Sequence, residues 1–332
     1  MIAWKVRSED PAVASFRYRC LAPIEALRRR GLPAGLFRAD DVRTYRAVVF
    51  SKVYGEDEQR LADELRGRRV RVLLDLCDNH FFNPFGLENY RQAGRNLRAM
   101  IARVDQVVCS TETLASVVRE EAAPARPPAV VGDAVEIPSA PAAPDETGLP
   151  RLLWFGFHGS PNAPCGMGDL ANVAPLLRDI ARRHPFELVV ASNSAEKYKS
   201  VVEPLGLPSR YVAWDLASFP RLLAGSRAVL IPISRNPFTL CKTNNRLATA
   251  LAAGIPVVAD RIPSYDEFAP FCHLDDWERG LTEVLTRPRE ARARAAAARD
   301  LLVTRWSPEA ILRQWLTVLD VRAEAALNRS EA

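Results

Sequence analysis

Short apolar runs alternate with amphipathic helical stretches along almost the whole chain, and this alternation restricts the fold more than any other feature. In the first half, the apolar runs Val70–Leu76 and Gln106–Ser110 are each followed by a stretch with helical periodicity. Apolar runs of this length, followed by amphipathic helices, are typical of strands in a parallel sheet that is covered on both faces. The sequence therefore predicts an α/β protein with parallel sheets.

The predicted strands fall into two groups that a proline-rich segment separates. Residues 138–150, PSAPAAPDETGLP, have four prolines and no periodicity, which predicts a linker. This division predicts two Rossmann-like domains, over residues 1–137 and 151–305, with a ligand site in a cleft between them, beyond the carboxyl ends of the strands. The predicted strands are Ile2–Val6, Ala47–Ser51, Val70–Leu76, Gln106–Ser110, Leu152–Phe155, Glu187–Ala191, Arg210–Ala213, Ala228–Pro232 and Pro256–Ala259.

A last helix is predicted over residues 306–330. Ser307 and Pro308 are suited to the N-cap and the first helical position, and apolar residues such as Ile311, Trp315 and Leu319 follow at helical spacing. Such a helix would be buried against the rest of the protein.

The charge and cysteine patterns exclude several classes of protein. The 45 Lys and Arg residues outnumber the 40 Asp and Glu residues only slightly, and no dense basic block favours nucleic-acid binding. No apolar run approaches the ~20 residues of a membrane-spanning helix, and the N-terminus lacks the profile of a signal peptide. The six cysteines are scattered without metal-ligand spacing. We expect a cytoplasmic protein with reduced thiols and no metal site.

The segment Asn236–Asp260 has the features of an anion site. Thr243 is a suitable cap for a helix that ends at Gly254, and polar and cationic side chains surround the start of that helix. Free backbone N–H groups together with cations at a helix start are well suited to a phosphate or diphosphate. The alternative is a hydrophilic helix start with incidental charges. The four side chains are Lys242, Asn244, Asn245 and Arg246.

The same segment carries a resemblance to a known family. The helix followed by AAGIPVVAD at 252–260 resembles the element near the end of retaining glycosyltransferases of the GT-B fold, in the broad group 1, family 4-like set. Four other stretches resemble elements of these enzymes in the same order along the chain. They are SFRYRCLAPIEALRRRG at 15–31, VDQVVCSTETLASVV at 104–118, LLWFGFHG at 152–159 and YVAWDLASFPRLLAGSRAVLIP at 211–232.

The resemblance implies a nucleotide-diphospho sugar as donor, no further cofactor, and a C-terminal helix that crosses back to the N-terminal domain. One departure concerns two glutamates that the family commonly has, with seven residues between them, where the first contacts the donor sugar and the second the ribose. Cys241 and Thr249 occupy these positions here. Lys242 and Asn245 lie near enough to supply contacts instead.

Further donor-binding candidates lie in the glycine-rich segment GFHGSPNAPCGMG and beyond it. Its glycines allow close approach of the backbone, and three polar side chains can bond a phosphate or a sugar. It is not the fingerprint of a dinucleotide site, which disfavours hydride chemistry. Glu267 follows the last predicted strand and is a candidate for a donor hydroxyl. The full donor set is Gly156, His158, Gly159, Ser160, Asn162, Trp214, Lys242, Asn244, Asn245, Arg246, Thr249 and Glu267.

Acceptor-side candidates follow the strand Val70–Leu74. Asp75, Asp78 and His80 lie where a strand ends, and a carboxylate with an imidazole can position or deprotonate an acceptor hydroxyl. The alternative is that Asp75 caps a turn and His80 packs among phenylalanines. Arg17 and Arg19, in the loop after the first strand, can clamp a charged acceptor or the diphosphate, unless they are ordinary surface arginines.

Together with these candidate sites, the resemblance implies a glycosyltransferase that moves a sugar from a nucleotide-diphospho donor to a glycan, lipid-linked or other hydroxyl acceptor, in cell-surface polysaccharide or glycoconjugate synthesis. Lys242 and Arg246 would stabilise the leaving diphosphate. The arginines at 28–30 suggest peripheral contact with an anionic membrane, and either a monomer or a homodimer is compatible with the sequence. The alternatives are a non-catalytic GT-B-like binding or partner subunit and a nucleotide-sugar epimerase.

Overall fold

The structure, a computed structural model, describes residues 1–138, 148–161 and 163–321. Most of the predicted linker and the last residues of the predicted closing helix lie outside this range. The chain divides into two compact units. Unit 1 comprises Met1–Ala134, Cys241–Thr243 and the chain from Arg305 onward, and unit 2 comprises Val135–Leu240 and Asn244–Thr304.

Each unit contains one sheet, and helices follow most of the strands. The strands are β1 (Ile2–Lys5), β2 (Ala34–Leu36), β3 (Ala47–Ser51), β4 (Arg71–Leu76), β5 (Gln106–Cys109), β6 (Ala129–Val130), β7 (Arg151–Phe155), β8 (Glu187–Ser192), β9 (Ser209–Ala213), β10 (Ala228–Ile231), β11 (Val257–Ala259) and β12 (His273–Leu274). The α-helices are α1 (Ala14–Phe16), α2 (Ala22–Arg29), α3 (Glu56–Gly67), α4 (Glu88–Ile101), α5 (Glu112–Ala122), α6 (Leu170–Arg183), α7 (Ala195–Val201), α8 (Phe219–Ala224), α9 (Asn245–Ala252), α10 (Trp277–Thr286), α11 (Pro288–Ala296), α12 (Arg299–Leu301) and α13 (Pro308–Val318).

Both sheets are six-stranded and parallel. The strand order is β2-β1-β3-β4-β5-β6 in unit 1 and β12-β11-β10-β7-β8-β9 in unit 2. In each sheet the chain winds outward in both directions from its first strand, so that the order reverses between β1 and β3 and between β7 and β10. Such a switch point opens a crevice beyond the carboxyl ends of the two strands, where parallel sheets bind ligands.

The core of unit 1 contains two fully buried tryptophans from opposite ends of the chain. Trp4 on β1 and Trp315 on α13 meet edge to face, with 5.7 Å between ring centroids. Ser307 caps α13 by accepting a bond from the Ala310 N–H at 3.2 Å, with Pro308 at the first helical position. The predictions of this cap and of a closing helix that packs on the first unit are therefore confirmed.

The core of unit 2 lies between its sheet and amphipathic helices. On α6, Val173, Leu177 and Ile180 are buried at spacings of four and three residues, as a helix that covers a sheet requires. Helix α9 is rich in alanine, and these small side chains let it lie close to β10 and β11. Gly254 ends α9 with a φ of +70°, a conformation that glycine adopts without strain.

All nine predicted strands are confirmed within one residue or so at each end, and the α/β class with them. The structure adds β2, β6 and β12, which are three, two and two residues long. The predicted cap at Thr243 is wrong, because α9 begins at Asn245 and its N-cap is Asn244. Among the described residues, no helix combines the length and apolarity needed to cross a bilayer.

Candidate active site

The loop after β7 forms one side of the crevice in unit 2. Gly166 packs against the backbone of the same loop, since a Cβ placed on it would lie 2.8 Å from the Gly159 Cα. Its φ of +92° is also unfavourable for other residues. The Met167 N–H donates to the His158 oxygen at 3.2 Å and closes the loop on itself. The glycines therefore let two parts of this loop's own backbone approach each other closely.

Asp169 joins this loop to the segment after β10. Its carboxylate accepts bonds from the Gly166 N–H at 2.8 Å and from the Ser234 hydroxyl at 2.6 Å. Burial raises the pKa of Asp169, and these hydrogen bonds oppose that shift. The two sides of the switch point are thus tied together by a buried carboxylate. Neither Asp169 nor Ser234 was singled out from the sequence.

The N-terminus of α9 lies beside the loop. The side chain of Asn244 is 1% exposed, and neither its Oδ1 nor its Nδ2 has a partner among the described residues. The Arg246 guanidinium reaches the Phe155 oxygen at 3.5 Å, and it opposes the rise that burial causes in the pKa of the Tyr265 hydroxyl. A Cβ on Gly156 would lie 3.4 Å from Arg246 Nη1. The structure therefore brings Asn244, Arg246 and Gly156 together, as expected for a group of anion ligands.

The other donor-site candidates occupy different surroundings. His158 Nδ1 bonds the Asn193 Oδ1 at 3.0 Å, and Ser160 pairs with Ala163 across a β-bridge. Trp214 follows β9 and approaches Phe219, with 6.2 Å between ring centroids. Thr249 is half-buried within α9, and Glu267 is half-buried in the 3-10 helix Pro263–Phe271. Asn162 lies outside the described residues.

Unit 1 has a cluster of charges beyond the carboxyl ends of its strands. Lys52 follows β3 with a left-handed φ of +56°, and its ammonium lies 2.5 Å from Asp78 Oδ2. Lys242 pairs with the other oxygen of the same carboxylate. Burial alone would raise the pKa of Asp78, but the two ammonium groups hold that pKa well below its usual range.

His80 lies at the edge of this cluster. Its Nδ1 is 2.8 Å from the Tyr54 hydroxyl, and its Nε2 is 3.9 Å from Asp78 Oδ2. Burial lowers the pKa of His80 to about 4; Lys52 and Lys242 add to that shift and Asp78 opposes it. The Asp78 carboxylate and the His80 imidazole are therefore weak bases at neutral pH. Such groups are better suited to positioning a hydroxyl than to deprotonating it. The sequence analysis missed Lys52 and Tyr54.

Arg19 and Asp75 correct the sequence-based expectation. They are 1% and 0% exposed and bond each other, with Arg19 Nε at 3.2 Å from Asp75 Oδ1. Arg19 also donates to the Gly132 oxygen at 3.0 Å and lies 5.5 Å from the Trp315 ring centroid. Neither side chain can reach a ligand in this arrangement, so the assignments to catalysis and acceptor binding are wrong for this pair. Arg17 donates to the Pro11 oxygen at 2.6 Å.

The structure also divides the predicted anion site. Lys242 belongs to unit 1 with Cys241 and Thr243, whereas Asn244–Arg246 belong to unit 2. The Cys241 thiol is buried, and burial raises its pKa to about 11, so it is no replacement for a carboxylate. In the part of the chain that the structure describes, no group of three His, Cys, Asp or Glu side chains is placed to hold a metal ion.

Two parallel six-stranded sheets, each in its own unit, and a last helix that packs on the first unit define the GT-B class of two-domain α/β proteins. The comparisons with known proteins agree. Residues 175–317 match the sequence model of the glycosyl transferase-like family. The fold and this match, which covers less than half of the chain, agree with the resemblance to group 1 glycosyltransferases of the GT-B fold. No curated protein matches the chain in a sequence comparison.

Several solved structures share the fold at low sequence identity. HepE of Anabaena, solved in complex with UDP and glucose, is 13% identical with a TM-score of 0.69, and the match covers 97% of this chain and 99% of that one. A sucrose-phosphate synthase of Thermosynechococcus elongatus is 14% identical, with a TM-score of 0.68 and 96% and 98% coverage.

TarM of S. aureus, solved with fondaparinux, alpha-GlcNAc-glycerol and UDP, is 13% identical with a TM-score of 0.61. The match covers 82% of this chain but only 55% of TarM, so the chain spans about half the length of that protein. These likenesses concern the fold.

Proposed function

We propose that the chain transfers a sugar from a nucleoside-diphosphate donor of the UDP type to a hydroxyl of a glycan or lipid-linked acceptor, in the synthesis of a cell-surface polysaccharide or glycoconjugate. Unit 2 binds the donor, and unit 1 binds the acceptor. The observation that carries the proposal is the buried, unpartnered Asn244 amide beside Arg246 at the start of α9.

A diphosphate satisfies the groups at this position. The first backbone N–H groups of a helix have no partner within the helix, and the helix dipole favours negative charge there. A buried amide without a partner costs roughly 1–3 kcal/mol, which a bound phosphate oxygen would recover. The position also lies at the switch point of the unit 2 sheet, where such folds bind nucleotides.

The same groups account for the chemistry. Departure of the nucleoside diphosphate leaves negative charge on its phosphate oxygens. Arg246, the Asn244 amide and the N–H groups of α9 are held in place before the reaction and stabilise that charge as it develops. UDP bound to HepE of Anabaena supports a uridine nucleotide as the first donor to test.

The test combines binding with turnover. UDP, GDP, ADP, dTDP and CMP are each added to the purified protein at millimolar concentration, with and without Mg²⁺, and the melting temperature is recorded. A ligand at 100 times its Kd adds about 2.7 kcal/mol of stability, which a melting curve detects. We expect UDP to give the largest shift and Arg246→Gln to abolish most of it, while Arg289→Gln, an exposed arginine of the same unit, retains it.

Turnover separates the enzyme from a binding subunit. We expect release of UDP from UDP-glucose or another UDP-sugar when an acceptor is present. A shift with UDP but no sugar transfer to any glycan or lipid-linked acceptor would favour the non-catalytic alternative. Absence of a shift with every nucleotide would overturn the donor site.

A further inference from the structure

We infer that unit 1 binds an acceptor bearing an anionic group, a phosphate or a carboxylate, which Arg7 and Lys52 hold at the switch point of its sheet. The assignment of this anion to the acceptor rests on the proposed function. Whether unit 1 binds an anion can be tested by ligand binding alone, without an activity assay.

The topology places the two cations at the mouth of the crevice. In the order β2-β1-β3, the chain winds away from β1 in both directions. Arg7 lies two residues beyond the end of β1, and Lys52 lies one residue beyond the end of β3. The carboxyl ends of these neighbouring strands form the place where a parallel sheet accepts a ligand.

The charges near this point do not balance. Lys52 and Lys242 share the carboxylate of Asp78, and Arg7 lies near enough to His80 and Tyr54 to act on the pKa of each. Arg7 is exposed and has no carboxylate partner among the ion pairs of the described residues. Asp75 and Asp133 are occupied by Arg19. Arg19 has one positive charge for two carboxylates, so the four cations of the cluster exceed its three carboxylates by one positive charge, because the neighbouring His80, Tyr54 and Cys77 are neutral at pH 7.

Burial makes this surplus significant. The Lys52 side chain is 26% exposed and that of Asp78 is 14% exposed, so water screens them less than it screens surface pairs. Positive charges held together in such a place repel one another, and an anion bound between Arg7 and Lys52 removes that repulsion.

His80 supplies a readout within the site. Lys52, Lys242 and Arg7 all lower its pKa. An anion that binds among these cations must therefore raise the pKa of His80. With protein labelled at its histidines and His80 assigned by comparison with His80→Gln, NMR follows the titration without a probe and with glucose 6-phosphate, glucuronate or glucose. We expect a rise of about 1 unit with the phosphate, the carboxylate or both, and none with glucose.

Substitutions locate the anion. We expect Arg7→Gln to weaken binding of the effective probe at least about tenfold, as loss of a charge-assisted bond does. Arg43→Gln, another exposed arginine of unit 1, should bind it like the wild type. Lys52→Gln should weaken binding of the probe as well. If loss of the Lys52–Asp78 pair disturbs folding in that variant, the Arg7→Gln variant still measures the effect of a lost cation on binding.

The outcomes separate this inference from the proposed function. A rise with glucose 6-phosphate alone assigns a phosphorylated acceptor, and a rise with glucuronate alone assigns an acidic sugar. If neither anion binds better than glucose, the inference is overturned, even where UDP binds and sugar is transferred. If UDP raises the pKa of His80 in the wild type but not in Arg7→Gln, the cluster binds the donor. The assignment of the anion to the acceptor is then overturned. Loss of UDP binding in Arg246→Gln alone concerns only the proposed function.

Discussion

The two sheets of this protein share a winding pattern but differ in what they place at the point where the strand order reverses. In unit 1 that point has Lys52 near Asp78, with Arg7 close by. In unit 2 it has a glycine-rich loop, the amide of Asn244 and the guanidinium of Arg246. The same sheet topology therefore carries a cluster of charged side chains in unit 1 and a group of backbone and amide groups in unit 2.

The difference extends to the buried layer below each site. The buried Asp75 of unit 1 pairs with the buried guanidinium of Arg19. The buried Asp169 of unit 2 accepts its bonds from Ser234 and a backbone N–H, which are neutral. In this layer, unit 1 thus has a pair of opposite buried charges, whereas the Asp169 carboxylate of unit 2 is held by neutral hydrogen-bond donors.

The largest effect is expected from removing one member of the buried ion pair. Asp75→Asn leaves Arg19 with Asp133 as its remaining partner, and we expect the free energy of unfolding to fall by about 3–5 kcal/mol. Asp169→Asn is the matched change in unit 2 and should cost about 1–1.5 kcal/mol, because no cation loses its main partner. Urea unfolding of both variants measures this. Equal losses of unfolding free energy in the two variants would contradict the proposed difference between the units.

The second effect is a dependence on pH that arises in unit 1. The pKa of His80 is lowered to about 4 in the folded protein, whereas an unfolded chain has the ordinary value of about 6.5. Between these values the unfolded state binds more protons, so stability falls as the pH drops from about 6.5 to 4, by up to about 2–3 kcal/mol. The His80→Gln variant has no imidazole at this position, so it should lack this part of the stability loss at low pH. Unfolding curves at several pH values compare the two proteins, and parallel profiles would contradict the prediction.

The third effect tests whether the two switch points bind different ligands. Arg246→Gln should weaken UDP binding about 10- to 100-fold, since a charge-assisted bond to a phosphate is worth about 1.5–3 kcal/mol. Arg7→Gln should leave the Kd for UDP within about twofold of the wild type. Calorimetric titration with UDP measures both values. A similar loss in both variants would mean that the two clusters serve one ligand.

The smallest effect concerns the unpartnered amide. Asn244→Ala removes two buried polar atoms that lack partners in the described protein, so we expect the free energy of unfolding to stay unchanged or to rise by up to about 1 kcal/mol. UDP binding should weaken by about tenfold at the same time. A stability loss above about 2 kcal/mol would instead assign Asn244 to the architecture of the unit.

Periodicity in the sequence was sufficient to predict the strands at the centre of both sheets. These strands are buried on both faces, so they appear as continuous apolar runs. The three missed strands lie at or next to the sheet edges and have two or three residues each, for instance β12 (His273–Leu274). So short a run carries no periodic signal, and only the pairing with a neighbouring strand makes it a strand.

The site was harder to predict because adjacency in sequence differs from adjacency in space. Lys242 and Arg246 are close in the chain, yet the structure places Lys242 against Asp78 and Arg246 against the loop after β7. Arg19 looked like a surface or ligand-binding arginine, since no local pattern announces a carboxylate 56 residues away. Lys52 was within reach of sequence analysis, because it directly follows a predicted strand.

The return of α13 to unit 1 has a consequence for how the chain is made. A ribosome releases Trp4 long before Trp315, although the two rings meet in one core. Unit 2 has its whole sequence available by Thr304 and can fold while the chain is still growing. The part of the protein that is synthesised first must therefore wait longest for its last core residue. A nascent chain that stalls before residue 305 would expose the apolar face on which α13 packs, and chaperones and proteases recognise such a face.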